Sequence, residues 1–365
     1  MNIPKILTDR GFIFMHQLKL GDIVLGSPSL QEPMITTRFP MDIRKRIAKR
    51  LYLVEYSDGH RAVYANGDWI LNGSEFVPID ELAKSKKFHS ISLYPALYQD
   101  AAIRAIHDDH HTRRDMLLSE YMPGAILSSA HGTDPRVTIT GQAYQNIYTE
   151  LQNMGIAMKG IPNGNDVSLQ WVNRPNRPDV IYTDLFEGYY AYDYANDENY
   201  PIPYIINGDD ERRSFLGGVM DALRVNNDRI GEVVLGHDEY VVLKRVQNLL
   251  RSMAVYSEIH YNEEVPTWPQ YILNNFKLSE AYPDILTSFY PLQYTYHEPT
   301  IETMIRNTNF AQMLSVMGID NRHRRGWKIN LIVPDEGPAV WYDLYFADQP
   351  MMYYGEDFMP RLSKQ

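Results

Sequence analysis

Short apolar and alternating runs near the two ends of the chain predict β-strands. Within residues 1–94 these runs cover residues 12–14, 23–25, 52–56 and 62–64. Turn signals separate them, and Asp58-Gly59, between two strand-like runs, predicts a hairpin. Residues 325–360 return to short β runs. Both ends of the chain are therefore expected to be rich in β-structure.

The middle of the chain mixes the two periodicities. Helical spacing or composition covers residues 96–118, 215–223 and 240–253, and strand-like runs cover residues 137–140, 167–172 and 232–235. Residues 173–211, rich in Asn, Asp, Pro and Tyr, predict a long loop or linker. The expected fold class is α+β.

An internal repeat organises this middle region. Aligning Met154 with Met253, an offset of 99 residues, places Ile147 on Val246 and Leu151 on Leu250. Each half then has the order small-residue helix, strand, amphipathic helix, strand. The alternative is that two ordinary α+β segments align without a shared origin.

Composition limits the kinds of protein that this chain can be. The chain has 365 residues, 44% hydrophobic residues and no Cys, which predicts about two soluble globular domains and excludes disulfides and cysteine nucleophiles. No run approaches the ~18 apolar residues of a spanning helix, and the start lacks a signal-peptide pattern, so no membrane partner is expected.

The net charge of −11 disfavours nucleic acid as a partner, because phosphate binding needs a basic surface. Basic clusters at residues 44–50 and 322–328 are interpreted as solvated faces.

Two segments carry a family resemblance. Residues 213–223 (RSFLGGVMDAL), followed by a strand and by residues 243–253, resemble a repeat of the LAGLIDADG homing endonucleases. The resemblance implies that small residues let the first helix of each repeat approach its counterpart closely. These residues are Gly217 and Gly218 here, and Gly124 and Ala125 in residues 122–133, a weaker match interrupted by Pro123.

The flanks resemble the two halves of an intein-type Hint domain. Residues 6–24 and 54–71 are similar to the first two splicing blocks, and residues 340–349 to the closing block. The resemblance implies a β-rich Hint-like domain formed by residues 1–94 and 321–365. A pseudo-twofold αββαββα domain over residues 95–320 would be inserted in it, with repeats at about residues 115–172 and 209–262.

Splicing needs a Cys or Ser at the first intein residue, a His in the second block and a terminal Asn. The chain starts with Met1, places Asp68 where that His belongs, and ends without Asn. His16 and His60 do not match the position and are interpreted as surface or turn residues. Loss of splicing is therefore expected, with residual autoprocessing a minor alternative.

DNA cleavage in the LAGLIDADG family needs one metal-binding acid from each motif helix. The alignment puts Asp221 at the first acidic position and Leu223 at the metal-binding position, with Ala130 or His131 as the equivalent in the first repeat. Leucine cannot bind a metal, so no metal or other cofactor is expected.

Two other patterns keep alternatives open. His107 and His111 could bind a transition metal from one helix face, although a polar helix end is preferred because no third ligand stands out. The Tyr-rich residues 182–204 could stack bases, but the acids among them favour a protein interface or a packed loop.

The resulting hypothesis is a structural or interaction protein derived from an intein-type mobile element, with both chemistries lost. We expect protein partners in a larger assembly and a place in a bacteriophage virion, in its tail or baseplate. The alternative is a LAGLIDADG homing endonuclease or a site-specific DNA-binding protein.

Overall fold

The computed structural model describes two compact units of the chain, each taken here by itself. Unit 1 comprises residues 1–106, 250–258 and 320–365, and unit 2 comprises residues 107–249 and 259–319. The residues that the structure describes are 4–8, 11–27, 34–91, 97–98, 137–139, 158–163, 166–171, 216, 219, 223, 234–252, 255–263, 269–274, 327–347, 351–355 and 358–364.

This part of the chain is rich in β-structure and has few helices. The helices are α1 (Ile79–Ser85), α2 (Tyr240–Ser252) and the 3-10 turn Met15–Gln17. The strands are β1 (Lys5–Thr8), β2 (Gly11–Phe14), β3 (Val24–Ser27), β4 (Met34–Arg38), β5 (Asp42–Tyr56), β6 (Arg61–Ala65), β7 (Trp69–Asn72), β8 (Glu75–Pro78), β9 (Leu97–Tyr98), β10 (Val137–Ile139), β11 (Met158–Asn163), β12 (Asp166–Trp171), β13 (Leu235–His237), β14 (Glu258–Tyr261), β15 (Tyr271–Asn274), β16 (Ile329–Tyr345), β17 (Met352–Tyr354) and β18 (Pro360–Leu362).

Strands from both ends of the chain interleave in unit 1. Its larger sheet has the order β2-β1-β3-β17-β18-β7-β8, with β4 pairing β3 and β9. The C-terminal strands β17 and β18 thus lie between N-terminal strands. A second sheet has the order β16-β5-β6, in which β16 runs antiparallel to β5 along almost its whole length. Neither end of the chain could complete these sheets alone.

Among the described residues of unit 1, buried side chains form three core clusters. The alternation of each strand sends every second residue inward, and α1 adds Ile79 and Leu82. Each fully buried aliphatic side chain contributes roughly 1.5–3 kcal/mol. The largest cluster comprises Tyr52, Val54, Tyr56, Ala62, Tyr64, Ile70, Leu71, Ile79, Leu82, Ile91, Trp327, Ile329 and Met359. The other two centre on Leu344 with Ile6, and on Trp341 with Ala48.

One glycine marks the crossing of the N- and C-terminal strands. A Cβ at Gly26 would collide with the backbone carbonyl oxygen of Met352 and the side chain of Met351. Because β3 pairs with β17 there, only glycine lets the two backbones approach this closely.

Unit 2 contains two small sheets with the same strand order. One is β10-β12-β11 and the other is β13-β15-β14, so the third strand in sequence lies in the centre of each. In the second sheet, α2 connects β13 to β14. The proposed repeat boundaries and the domain boundaries at residues 94 and 320 stay predictions.

Several predicted elements are confirmed and others are corrected. The Asp58-Gly59 hairpin joins β5 to β6, and α2 covers the predicted helix at residues 240–253. Three residues of the predicted helix 215–223, namely Leu216, Val219 and Leu223, are helical and buried.

The helix expected from residue 96 is wrong at its start. Leu97–Tyr98 form strand β9, paired with β4, because partners in a sheet decide the conformation of so short a segment. The run at residues 52–56 is only the end of the 15-residue strand β5, which also contains the basic cluster 44–50. Among the described residues, no helix is both long and apolar enough to span a bilayer.

Candidate functional site

Asp68 closes the turn between β6 and β7. Its backbone N–H donates to the carbonyl of Ala65 at 3.0 Å, and its carboxylate Oδ2 accepts from the Ala65 N–H at 2.9 Å. Gly67 has φ +80° at the third position of this turn, a conformation that favours glycine. A short side chain with an acceptor oxygen is therefore needed locally at position 68.

Two cations from distant segments bind the same carboxylate. Arg46 Nη2 on β5 donates to Asp68 Oδ1 at 2.9 Å, and Lys364 Nζ lies 3.4 Å from that oxygen. Arg46 Nε also donates to Asp343 Oδ2 on β16 at 2.8 Å. Lys364 Nζ further donates to the carbonyl of Gly67. The network ties the β6–β7 turn to β5, β16 and the C-terminal residues.

Burial and hydrogen bonds together set the properties of the Asp68 carboxyl. Burial raises the pKa of the Asp68 carboxyl above its usual value, and Lys364, the Ala65 N–H and Arg46 only partly offset the rise. Its side chain is 13% exposed and its oxygens accept hydrogen bonds from the groups just named. An acceptor held in this way positions the backbone of the turn and the two cations.

A second, fully buried cluster surrounds Asp58 in the β5–β6 turn. Asp58 Oδ1 accepts the His60 backbone N–H at 3.0 Å. Asp58 Oδ2 accepts Arg251 Nε at 2.8 Å and Trp327 Nε1 at 2.8 Å, and Arg251 Nη2 lies 2.7 Å from the same oxygen. The side chains of Asp58 and Arg251 are both 0% exposed. Three separate chain segments of unit 1 therefore meet at one carboxylate.

The ionised state of Asp58 is favoured by its partners. Burial acts to raise the pKa of Asp58, but the charges of Arg251 and His60 and the hydrogen bonds from both outweigh it, so the pKa lies below its usual value. Tyr256 packs edge-on against Trp327 at 5.6 Å, and His60 stacks on Tyr56 at 5.3 Å. This apolar enclosure makes the cluster a structural clamp.

His60 lies at the β5–β6 turn, which agrees with its interpretation as a surface or turn residue. It is only 2% exposed, because it stacks on the buried ring of Tyr56. His16 is exposed, as expected, in the 3-10 turn.

Of the residues aligned with the endonuclease motif, Leu223 lies within the described part of the chain. It is helical and 5% exposed, so its hydrocarbon side chain is buried. The following predicted residues lie outside the described residues: His131, Asp221, Gly124, Ala125, Gly217, Gly218, Ala130, His107, His111 and the Tyr-rich segment 182–204. Within the described ranges, no three His, Cys, Asp or Glu side chains are placed to hold a metal ion.

Sequence reasoning missed Arg251 and Trp327 as partners of Asp58. The Asp58-Gly59 signal identified the turn, but a turn aspartate usually bonds its own backbone. Arg251 lies in the last turn of a helix, where an arginine is ordinarily explained by the helix dipole. Neither pattern signals a contact across 193 residues.

Comparison with known proteins gives a limited result. No protein-family model matches the chain, and no curated protein matches it. Crystal structures of I-DmoI match about half of it. I-DmoI in complex with DNA and Mn is 13% identical, over 50% of this chain and 99% of that chain, with a TM-score of 0.31.

Two further structures match this chain with similarly low identity and over a similar share of its length. Mesophilic variants of the homing endonuclease I-DmoI are 16% identical over 49% of this chain and 96% of that chain, with a TM-score of 0.31. I-DmoI in complex with DNA and Ca is 15% identical over 52% of this chain and 98% of that chain, with a TM-score of 0.30. The chain thus has a LAGLIDADG homing endonuclease as a structural neighbour at low identity over half its length.

Proposed function

We propose that this chain is an intein- and endonuclease-derived protein that has lost both chemistries and serves as a structural or interaction protein. The observation that carries the proposal is the ionic network of Asp68. Where splicing would need a histidine, the carboxylate closes a turn and binds Arg46 and Lys364. The interleaving of N- and C-terminal strands in one sheet supports a Hint-like origin of unit 1.

Loss of endonuclease activity is proposed from the second motif. Leu223 stands at the aligned metal-binding position, and its buried hydrocarbon side chain offers no ligand to a divalent cation. The structural neighbour I-DmoI has been crystallised with DNA and Mn, so DNA binding by this chain is the competing proposal.

Intact-mass spectrometry tests the first half of the proposal. The full chain is expressed with a folded fusion partner at each end, and we expect one uncleaved polypeptide before and after incubation with a thiol. The Asp68→His variant is expected to stay uncleaved as well, because restoring a histidine does not supply the Cys or Ser that starts the acyl shift. A spliced or shortened wild-type product would overturn the proposal.

A nicking assay tests the second half. Supercoiled DNA from the native source is incubated with the chain and Mg²⁺ or Mn²⁺, and no nicked or linear product is expected. Metal-dependent cleavage would overturn the proposal and favour the homing endonuclease. The Leu223→Asp variant reports on that position, because activity gained in it would support the alignment and the proposed loss.

The proposed place of action is a bacteriophage virion, in the tail or baseplate, with protein partners. In gradient sedimentation of native-source material treated with nuclease, the protein is expected in particle fractions at a fixed ratio to the particle proteins. Sedimentation as free protein in all fractions would overturn this part while leaving the chemistry proposals standing.

A further inference from the structure

Over residues 43–48, one side of β5 is paired with no strand of the described ranges. β16 pairs with β5 on one side along almost its whole length, whereas β6 on the other side pairs only with residues 51–55. Asn66 Oδ1 accepts the N–H groups of Lys49 and Arg50. Over residues 43–48, alternate N–H and C=O groups point away from β16, and no strand among the described residues pairs with them.

Positive charge is concentrated on this edge, and part of it is uncompensated. Arg46 is bound by Asp68 and Asp343, and Arg44 pairs with Asp42. Lys45 and Lys49 are exposed, and no carboxylate of the described ranges forms an ion pair with either. Two lysines four positions apart on a strand project from the same face.

An exposed apolar residue lies between these lysines. Ile47 is 62% exposed and projects from the face that Lys45 and Lys49 share. Its cross-strand partner on β16 is Val340, which is 41% exposed. Lys45, Ile47 and Lys49 therefore form an edge strip with the order cation, apolar, cation at every second residue.

We propose that the edge strip binds an extended acidic segment of a partner protein by strand addition. The segment would have the pattern acid-x-apolar-x-acid, which places its carboxylates beside Lys45 and Lys49 and its apolar side chain beside Ile47. Backbone hydrogen bonds supply affinity in this mode, and alternate side chains supply specificity. The proposal rests on the proposed interaction function and names its partner chemistry.

The composition of the strip favours a peptide ligand over a nucleic acid and over a purely protective role for the lysines. Lysines on a sheet edge can simply prevent edge-to-edge aggregation, but an exposed isoleucine between them works against that purpose. A nucleic acid backbone would use the lysines and leave Ile47 in contact with phosphates, and the net charge of −11 opposes it. An acidic strand with a central apolar residue uses all three side chains.

The test uses two synthetic peptides of the same composition with blocked ends. The matched peptide is Thr-Glu-Thr-Val-Thr-Glu-Thr, and the shifted peptide is Thr-Thr-Glu-Val-Glu-Thr-Thr, which moves both acids to the other face. Each is titrated to millimolar concentration against the full chain while backbone amide resonances are followed by NMR. The matched peptide is expected to shift residues 43–48 and to bind more tightly than the shifted peptide.

A pair of variants isolates the lysines. Lys45→Glu/Lys49→Glu is expected to weaken binding of the matched peptide about tenfold, because two favourable cross-strand pairs become repulsive. Lys84→Glu/Lys87→Glu makes the same charge change on exposed residues at the end of α1 and is expected to leave affinity unchanged.

Four results would overturn the proposal: equal binding of the two peptides, equal losses in the two variants, amide shifts elsewhere only, or tighter binding of a duplex DNA by the same lysines. The readout is binding, whereas the processing and nicking assays detect covalent products. Failure of this proposal is therefore distinguishable from failure of the proposed loss of chemistry.

Discussion

Two aspartates of unit 1 both hold ion pairs, but their surroundings give them different roles. Asp58 and its partner Arg251 are 0% exposed, whereas Asp68 is 13% exposed and its cations Arg46 and Lys364 are 25% and 22% exposed. The pKa of Asp58 lies below its usual value because its partners outweigh burial, and the pKa of Asp68 lies above it because burial outweighs its partners.

The two aspartates differ in how far along the chain their hydrogen-bond partners lie. Asp58 joins groups that are 193 and 269 residues away in the sequence, so its contacts exist only once the segments of unit 1 have met. Asp68 bonds locally to Ala65, three residues away, and also binds a cation from a distant segment, Arg46. We therefore expect the ion pair of Asp58 to contribute more to the free energy of unfolding than the ion pairs of Asp68.

The largest effect is expected from Asp58→Asn. The change removes the charge of Asp58 from a fully buried ion pair with Arg251, which costs about 3–5 kcal/mol of unfolding free energy. Urea titration, with exchange of the β5 and β6 amides as the local readout, measures it. The double variant Asp58→Asn/Arg251→Met should recover most of the loss, and no recovery would show that the ion pair is not its cause.

Acid should remove the contribution of Asp58 selectively. Because its folded pKa is lowered, the contribution is complete above the unfolded value near 3.9 and is lost as pH falls through the folded pKa. The stability difference between wild type and Asp58→Asn, measured from neutral to about pH 3, is expected to shrink in that window. A constant difference would contradict the assigned direction.

Asp68→Asn is expected to cost only about 1 kcal/mol at neutral pH, because the folded state already disfavours the charged carboxyl and an amide oxygen can still accept one hydrogen bond. The pH dependence has the opposite sign to that of Asp58. With a raised folded pKa, the contribution of Asp68 is complete below about pH 3.9 and is lost as pH rises through the folded pKa. Parallel pH profiles for the two variants would refute the distinction between the sites.

The smallest expected effect is that of salt on the stability cost of the two Asp→Asn substitutions. Raising NaCl from low concentration to about 1 M shortens the screening length to about 3 Å and acts on partly exposed charges. The cost of Asp68→Asn is expected to change by a few tenths of a kcal/mol, and the cost of Asp58→Asn to stay constant. A larger salt effect at Asp58 would mean that water reaches that cluster.

Local patterns predicted a useful part of this molecule. The hairpin at Asp58-Gly59, helix α2 and the buried helical residues around Leu223 follow from spacing and turn chemistry. The first half of β5 was not predicted as a strand, because a run of cations at residues 44–50 obscures alternation. The cations are compatible with a strand because one edge there has no neighbour among the described residues.

At the candidate site, too, the sequence predicted some features and not others. The resemblance to a second splicing block drew attention to Asp68, and its role there stays a prediction; no sequence pattern indicated the partners that hold its carboxylate. Arg46 belonged to a cluster interpreted as a solvated face, yet it bridges Asp68 and Asp343 because β5 and β16 pair in a register that brings it to both.

The sequence by itself determined local elements such as the Asp58-Gly59 hairpin and helix α2, and the absence of Cys, since periodicity, turn residues and residue identity need no distant partner. Only the tertiary structure decided which charges are buried, which are paired, and which part of β5 has no paired strand among the described residues. Desolvation and Coulomb energy depend on the groups that folding brings within a few ångströms, and for Asp58 those groups lie in segments far along the chain.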